Sequence, residues 1–264
     1  MSRGADRIDM SVHETGPRPV IVIGLPSFGM VHLYFVARYY NLHMPMNRVV
    51  RHIYVVGKEV ADARNEIVAK ALDIEKEDPS LRCEYVFFLD DDVLCHPGVL
   101  NQLMSHDRPI VSGLYYTKTE VPTPLVLHGE FGGTAKSWTP GELVDCHGHG
   151  MGLTLIKADV FRHLLEAGEL GTDPHGLPAW FATTRDQRIV RPSGVGGLFN
   201  ETEDMRFLNK ARSLGYQTCV DTGAAAFGWH LDTKTMKAYP LKQWNEFATT
   251  GRITWQTEHG EVTW

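Results

Sequence analysis

The chain has 264 residues, of which 43% are hydrophobic and 22% charged, and its formal net charge is -6. This length is enough to bury a core that needs no disulfide or structural metal. The negative charge excludes a surface that binds nucleic acid or anionic membranes over its whole extent. The four cysteines form no C-x-x-C pair, and residues 1–18 lack the apolar stretch of a signal peptide. These features predict a soluble cytoplasmic protein with reduced thiols and a loose N-terminal tail over 1–18.

Strands and helices alternate along the first half of the chain. The predicted strands lie at 20–23, 51–56, 85–89 and 109–115, and the predicted helices at about 30–40, 59–76 and 97–104. The run Tyr85-Val86-Phe87-Phe88-Leu89 is apolar at every position, which is typical of a central strand covered on both faces. This alternation predicts an α/β fold with a mostly parallel, Rossmann-like sheet that is flanked by helices and has right-handed crossovers.

The second half of the chain is less regular. Its predicted elements are a strand and a helix within 153–165, a helix at 203–214, a strand at 216–220 and an extended piece at 226–230. Residues 167–200 are rich in glycine, proline and polar side chains, which predicts a long, mobile active-site loop. We therefore expect one domain over 19–235, followed by a C-terminal extension at 236–264.

Three consecutive carboxylates, Asp90-Asp91-Asp92, directly follow the most apolar strand. Ligands of open α/β sheets bind outside the carboxyl ends of the strands. Like charges this close raise each other's pKa unless a cation neutralises them. A hard divalent cation, Mn²⁺ or Mg²⁺, that bridges carboxylate and phosphate oxygens would neutralise them. The alternative is a solvated acidic turn that caps the next helix.

Two further charged elements could serve such a site. Arg64, beside Asn65 in the predicted helix at 59–76, has a planar guanidinium suited to a phosphate or to the edge of a base, or it is an exposed helical residue paired with a glutamate. Glu203-Asp204 opens a helix, where the helix dipole favours acidic residues. A carboxylate at such a site could instead act as a general base that takes the proton of a hydroxyl. Asp204 is the first candidate for this base, and Glu203 is the second.

Histidines and glycines mark the remaining candidates. His230, after Trp229, is either a metal ligand for Mn²⁺ or a similar ion, or a partly buried structural residue. His147 and His149 have no partner at a recognised zinc spacing. The glycines around them, such as Gly150, predict a backbone that approaches a substrate closely.

The order of these motifs along the chain is more informative than any one of them. The series is Leu25-Pro26-Ser27, Ala63-Arg64-Asn65, Asp90-Asp91-Asp92, Val111-Ser112-Gly113-Leu114-Tyr115, Gly148-His149-Gly150-Met151-Gly152, Glu203-Asp204 and His230. Over about residues 20–230 it resembles the GT-A glycosyltransferases, in particular small family-2-like enzymes of bacteria and phages that have a D-x-D motif. The chain lacks a clear Q-x-x-R-W element and an apolar span, which argues against processive polysaccharide synthesis.

The resemblance implies roles for individual residues. The nucleotide-sugar pocket would be lined by Leu25, Pro26, Ser27, Arg64, Asn65, Asp90 and Asp91. The metal would be held by Asp90, Asp92 and His230. Asp204, with Glu203 as the alternative, would be the base of an inverting enzyme. The donor or acceptor sugar would contact His149, Gly150, Met151 and Trp229.

The resemblance therefore implies metal-dependent transfer of a sugar from a nucleotide sugar to a hydroxyl, in a bacterial or phage-infected cytoplasm. UDP is the commonest donor nucleotide among similar enzymes. Nucleotidyl transfer, metal-dependent hydrolysis and a non-catalytic nucleotide-sugar or carbohydrate-binding module are alternatives. The acceptor could be a saccharide or a hydroxymethylated DNA base, and in the second case Arg185, Arg188 and Arg191 could contact phosphates.

Overall fold

The structure is a computed structural model that describes residues 16–128, 133–134, 138–190, 196–242, 254–257 and 260–263. Its helices are α1 (Leu33–Tyr40), α2 (Val60–Glu77), α3 (Val99–Ser105), α4 (Ala158–Glu166) and α5 (Glu203–Ser213), with a 3₁₀ turn at Ala224–Ala226. Its strands are β1 (Arg18–Ser27), β2 (Val49–Val56), β3 (Leu81–Leu89), β4 (Val93–Cys95), β5 (Ile110–Gly113), β6 (Val126–His128), β7 (Gly133–Thr134), β8 (Leu143–Cys146), β9 (Gly148–His149), β10 (Leu153–Lys157), β11 (Thr184–Val190), β12 (Gly196–Glu201), β13 (Thr218–Asp221), β14 (Gly228–Asp232), β15 (Lys237–Tyr239), β16 (Thr254–Thr257) and β17 (Gly260–Thr263).

Seven strands form the central sheet, in the spatial order β2-β1-β3-β10-β5-β13-β8. β1 pairs in parallel with β2 and with β3, and β13 pairs in parallel with β5. β10 runs antiparallel to both β3 and β5, and β8 runs antiparallel to β13. The other five strands, β2, β1, β3, β5 and β13, therefore point the same way. This arrangement confirms the predicted α/β fold with a mostly parallel sheet flanked by helices.

β3 lies inside the sheet, and its side chains alternate between two helical layers. Phe87 packs in a core that includes Phe35 of α1, on one face of the sheet. Phe88 packs in a second core that includes Ile67 of α2, on the opposite face. Because both faces are covered, every position from 85 to 89 is apolar, and the charged residues begin only where the strand ends.

A three-stranded sheet, in the order β15-β14-β4, brings a late part of the chain to Asp90-Asp91-Asp92, the acidic run. β14 pairs antiparallel with β4, which places His230 opposite Val93. The Leu231 N–H donates to the Asp92 carbonyl at 2.6 Å. β15 pairs in turn with β14, so the expected boundary at 235/236 would divide a hydrogen-bonded hairpin. The first residues of the expected C-terminal extension at 236–264 therefore pair with β14.

The described part of 167–200 is packed against the core. Trp180 and Phe181 are 2% and 1% exposed, and the Trp180 indole N–H donates to the Phe161 carbonyl at 3.0 Å. Further along, β11 and β12 pair as antiparallel strands, and residues 191–195 lie outside the described residues. Two buried aromatic side chains therefore anchor 167–183 to the core, and the mobility of 167–200 stays a prediction.

Two expectations concern the chain's N-terminus and its relation to membranes. Residues 1–15 of the expected tail lie outside the described residues, and β1 begins at Arg18. Within the part of the chain that the structure describes, no helix combines the length and the apolar character needed to span a bilayer.

Candidate active site

The carboxyl ends of β1 and β3 lie side by side, because the two strands are parallel neighbours. Ser27 ends β1, Asp91 follows β3, and the Ser27 hydroxyl donates to Asp91 Oδ2 at 2.5 Å. Burial raises the pKa of Asp91, and the hydrogen bond from Ser27 opposes that rise. A direct contact therefore joins the loop after the first strand to the acidic run.

Arg64 on α2 links two separate carboxylates. Its side chain is only 2% exposed, and its Cζ lies 6.0 Å from the ring centroids of both Phe88 and Phe181. Nη2 donates to both carboxylate oxygens of Asp90 at 3.0 Å, and Nη1 donates to Glu203 Oε1 at 2.6 Å. The buried Arg64 guanidinium therefore joins the start of α5 to the end of β3, and Arg64 is not an exposed helical residue.

Burial and pairing oppose each other around Arg64. Burial lowers the pKa of Arg64, but the carboxylates of Asp90, Asp204 and Glu203 raise it above its ordinary value. For Asp90 the directions are reversed, because burial raises its pKa and the positive charge of Arg64 reduces that rise. Buried ions persist only when they are paired and hydrogen-bonded. Arg64, Asp90 and Glu203 form a buried cluster, and the charged state of each depends on the other two.

Glu203 and Asp204 open α5 beside Arg64 and have different environments. Burial and the adjacent Asp204 carboxylate raise the pKa of Glu203 to about 7, although Arg64 lowers it. Arg64 contacts Glu203 directly, whereas Asp204 Oδ2 accepts a hydrogen bond of 3.3 Å from the Met151 backbone N–H. Two neighbouring carboxyl groups in different environments are a common arrangement for acid–base chemistry.

Asp92 lies between two basic side chains. The Lys118 ammonium forms a short ion pair with Asp92 Oδ2, and His230 Nε2 lies 3.5 Å from the same oxygen. Burial alone would raise the pKa of Asp92, but the hydrogen bonds and charges of His230 and Lys118 lower it to about 2. Asp92 is therefore ionised at neutral pH.

A backbone contact sets the orientation of His230. Its Nδ1 lies 2.9 Å from the Tyr116 carbonyl oxygen, which can only accept, so Nδ1 carries the proton and donates. Nε2 faces Asp92 Oδ2 and can donate a hydrogen bond to it, and a metal that took the place of the Nε2 proton would bind the same nitrogen. A histidine oriented in this way by a carbonyl presents a metal-binding nitrogen.

Asp92 and His230 are spaced suitably for one cation. Two donors that each bind at about 2.1 Å can lie no more than about 4.2 Å apart, and the separation here is 3.5 Å. Among the described residues, no group of three or more His, Cys, Asp or Glu side chains is arranged to hold a metal. The other ligands would be phosphate oxygens and water, as is usual for Mg²⁺. Asp90, expected to be a third ligand, instead has both oxygens bonded to Arg64.

Two adjoining cavities open at this edge of the sheet. The smaller, of about 210 Å³, is lined by Pro26, Ser27, Phe28, Lys58, Val60 and the three aspartates. The larger, of about 540 Å³, is lined mainly by apolar and aromatic side chains and also by Leu25, Ser27 and Asp91. Ser27 and Asp91 border both cavities. The segment Leu25-Pro26-Ser27 is therefore positioned to contact a ligand that fills either one.

Gly150 and Gly152 leave no room for a side chain. A Cβ on Gly150 would lie 2.1 Å from Tyr115 Oη, and one on Gly152 would lie 2.6 Å from Asp90 Oδ2. The Gly152 N–H donates to Tyr115 Oη at 2.9 Å, and the Asp90 N–H donates to the Gly152 carbonyl at 2.9 Å. These glycines do permit a close approach, but the group that approaches is the protein's own Tyr115 or Asp90 and not a substrate.

Gly152→Ala is expected to lower the free energy of unfolding by about 1–3 kcal/mol, because the new methyl group must displace the Asp90 carboxylate from Arg64. The control is Gly171→Ala, since a Cβ at Gly171 meets nothing within 4 Å. Urea unfolding followed by tryptophan fluorescence measures both variants. Equal losses in the two variants would show that the contact with Asp90 is unimportant.

His149 lies in the interior of the protein. It is 1% exposed, its Nε2 is 2.6 Å from Thr218 Oγ1, and its Nδ1 is 2.8 Å from the Gly150 carbonyl. Burial lowers the pKa of His149 to about 4. Both ring nitrogens therefore have partners within the fold, and the expected contact of His149 with a sugar has no support from this geometry.

Three other expected contacts are also enclosed. Met151 is 0% exposed and Trp229 is 1% exposed. The Asn65 side chain bonds to the Phe181 backbone twice, through Nδ2 to the carbonyl at 3.0 Å and through Oδ1 from the N–H at 2.9 Å. None of these three side chains lines the two cavities. The packed segment at 167–183 covers Asn65 through Phe181.

Two residues of the site had no role in the sequence-based hypothesis. Tyr115 is 4% exposed, and burial together with the charges of Asp90 and Asp204 raises its pKa well above the ordinary value. Lys118 follows three residues later and reaches Asp92. Both come after the carboxyl end of β5, the side of an α/β sheet where ligands bind, and this position is the signal that could have identified them.

Comparisons with known proteins identify a fold and no family. No protein-family model matches the chain, and no curated protein matches it. Among solved structures, A197 from STIV matches with a TM-score of 0.50 and 18% sequence identity, over 84% of this chain and 92% of that chain. A likeness at this level of identity concerns the backbone arrangement, so the chain shares its α/β fold with A197 from STIV.

Proposed function

We propose that this chain is a metal-dependent glycosyltransferase that moves a sugar from a nucleotide sugar, with UDP as the first nucleotide to test, to an acceptor hydroxyl. The observation that carries the proposal is the meeting of Ser27, the acidic run and His230 at the carboxyl ends of β1 and β3. Arg64 joins this group to Glu203, which stands next to Asp204. A solvated acidic turn would not give each aspartate a different partner.

The three aspartates would have different functions. Asp91, which accepts a hydrogen bond from Ser27 and borders both cavities, would accept a hydrogen bond from a ribose hydroxyl. Asp92 and His230 would hold Mn²⁺ or Mg²⁺, and Asp90 would keep Arg64 in place. The cation, when bound, would neutralise the diphosphate and stabilise the charge on the leaving group.

Asp204 is the proposed general base. It would take the proton of the acceptor hydroxyl while that oxygen attacks the anomeric carbon, and the bond to the nucleotide diphosphate breaks on the opposite side, so the configuration inverts. Glu203 is the alternative base, because a carboxyl with a pKa of about 7 suits proton transfer at neutral pH. Its Oε1 is already bonded to Arg64 at 2.6 Å, which favours Asp204.

A saccharide is the first acceptor that we propose, and a hydroxymethylated DNA base is the second. The side chains of Arg185 and Arg188, on β11, and the whole of Arg191 lie outside the described structure. We also propose that the protein acts in a bacterial or phage-infected cytoplasm, and this proposal rests on the family resemblance alone.

A thermal-shift screen with UDP, GDP, CDP, ADP and dTDP tests the proposal. One of them is expected to raise the melting temperature with Mn²⁺ present, and EDTA is expected to abolish the shift. Asp92→Asn and His230→Ala should each weaken the Mn²⁺-dependent binding by about tenfold or more. Asp73→Asn, at an exposed carboxylate of α2 that pairs with Lys76, is the control and should change nothing. Stabilisation that persists in EDTA would contradict the metal site. If none of the nucleotides stabilises the protein, the proposal is wrong.

Product analysis with the matching nucleotide sugar then separates the alternatives. Transfer of the sugar to an added saccharide supports the proposal. Pyrophosphate release would indicate nucleotidyl transfer, free sugar alone would indicate a hydrolase, and binding without turnover would indicate a binding module.

A further inference from the structure

Lys118 contacts the acidic run from outside the motifs described so far. It lies in the bend after β5, and its side chain is 32% exposed. The base of this bend is held by a β-bridge between Tyr116 and Pro124 and by a hydrogen bond of 2.9 Å from the Thr117 N–H to the Thr123 carbonyl. The backbone of the bend therefore directs Lys118 toward Asp92, while the long side chain keeps its freedom to move.

Lys118 and His230 both contact the same oxygen. The Lys118 ammonium pairs with Asp92 Oδ2, and His230 Nε2 lies 3.5 Å from that atom. A divalent cation held by Asp92 and His230 would need this oxygen, and it would carry a like charge to that of the ammonium. The divalent cation and the ammonium therefore compete for Asp92, and Lys118 loses this partner when the cation binds.

The other cations near the aspartates already have protein partners. Arg64 is bonded to Asp90 and Glu203, and Lys58 pairs with Glu66 at 2.7 Å. Among the described residues that contact or border the acidic run, Lys118 is thus the cation whose partner would be taken by the metal. The anion added to a loaded site would be the diphosphate bound to that metal.

We infer that Lys118 is a phosphate-binding residue that exchanges partners, from Asp92 in the free enzyme to a diphosphate oxygen of the nucleotide when a divalent cation occupies Asp92. This inference rests on the proposed function. Lysine suits such an exchange, because its ammonium is a compact charge with three donors on a flexible four-carbon stem. The ordinary alternative is a surface ion pair, which contributes little to stability and nothing to nucleotide binding.

Lys118→Met is expected to change two affinities in opposite directions. Without its competitor, Mn²⁺ alone should bind about two- to fivefold more tightly, as measured by electron paramagnetic resonance of free Mn²⁺. At saturating Mn²⁺, UDP should bind about tenfold or more weakly, because a charge-assisted hydrogen bond to phosphate is lost; isothermal titration calorimetry measures this. If another nucleotide of the screen binds in place of UDP, it is the probe.

Two variants control this experiment. Lys70→Met, at an exposed lysine of α2 that pairs with Glu66 at 2.7 Å, should leave both affinities unchanged. Lys118→Arg retains the charge and should recover most of the nucleotide affinity. If Lys118→Met lowers the melting temperature, Lys118→Gln replaces it in both titrations.

The outcomes distinguish this inference from the function on which it rests. Suppose that the wild-type protein binds UDP with Mn²⁺ and that Lys118→Met leaves both affinities within about twofold. Lys118 then forms only a surface ion pair, and this inference is wrong while the proposed function stands. Weaker binding of both Mn²⁺ and UDP would also overturn it, since Lys118 would then support the metal site. If the wild-type protein binds none of the five nucleoside diphosphates with Mn²⁺, the proposed function and this inference are both wrong.

Discussion

Replacing Arg64 with methionine is expected to lower the free energy of unfolding by about 3–5 kcal/mol. Methionine retains much of the buried stem but removes the guanidinium that pairs with Asp90 and Glu203. Their side chains are 25% and 13% exposed, so the two carboxylates would lose their cation with little water to replace it. Because Asp90 is the more exposed of the two, we expect a loss toward the lower end of this range. Urea unfolding at neutral pH measures it.

Arg48→Met is the matched control for this prediction. Arg48 also pairs with a glutamate, Glu84, at 2.6 Å, but the two side chains are 20% and 36% exposed. A surface pair of this kind contributes about 0–1 kcal/mol. A loss at Arg64 no greater than the loss at Arg48 would show that the buried cluster is not a source of stability.

The penalty in Arg64→Met is also expected to depend on pH. Without the guanidinium, the pKa values of Asp90 and Glu203 in the folded protein rise further above their unfolded values. A carboxyl whose folded pKa is raised contributes most stability at low pH and loses that contribution as pH rises through the folded pKa. The gap between Arg64→Met and the wild type should therefore be wider at pH 8 than at pH 5. A gap that narrows over this interval would contradict the cluster's role.

Asp204→Asn is expected to lower kcat by about 10²–10⁴-fold, once the screen has identified a donor, while leaving nucleotide affinity nearly unchanged. The amide retains the shape of the side chain but cannot accept the proton of the acceptor hydroxyl. Release of the nucleoside diphosphate in the presence of acceptor measures kcat, and calorimetry measures the affinity. A loss within about threefold, well below the usual value of base catalysis, would exclude Asp204 as the base.

The pH profile separates Asp204 from its neighbour. The adjacent Asp204 carboxylate helps to raise the pKa of Glu203 to about 7, so removing that charge should lower the pKa of Glu203. If Asp204 is the base, the residual activity of Asp204→Asn is low at every pH. If Glu203 is the base, Asp204→Asn remains active and the acid limb of its kcat profile moves to lower pH. Glu203→Gln provides the converse variant, with urea unfolding as the check on its fold.

Many of the strands and helices that position this site could be predicted from the local sequence. Residues 85–89 are apolar at each position because β3 is covered on both faces, so the end of the strand and the start of the acidic run coincide. The sequence predicts that Glu203-Asp204 begins a helix, and α5 begins at Glu203. Periodicity and strand ends are local properties, and a single sequence carries them.

Local composition does not indicate two of the packing arrangements, for one physical reason. Residues 167–183 contain many glycines and prolines, yet Trp180 and Phe181 hold the segment in the core. His149 lies among glycines that suggest a ligand loop, yet Thr218 and the Gly150 carbonyl bond both of its ring nitrogens. Composition records which residues favour loops, and it does not record which side chains find a partner across the fold.

Local pattern was sufficient to establish an α/β chain with three acids at the mouth of a buried strand, because hydrophobic burial repeats with the period of each strand and helix. Contacts across the fold were needed to assign the acids their partners: Asp90 to Arg64, Asp91 to Ser27, and Asp92 to His230 and Lys118. Arg64 is 26 residues from Asp90 and 139 from Glu203 in the sequence. The charge of a buried group depends on which groups surround it in space, and sheet topology alone brings these residues together.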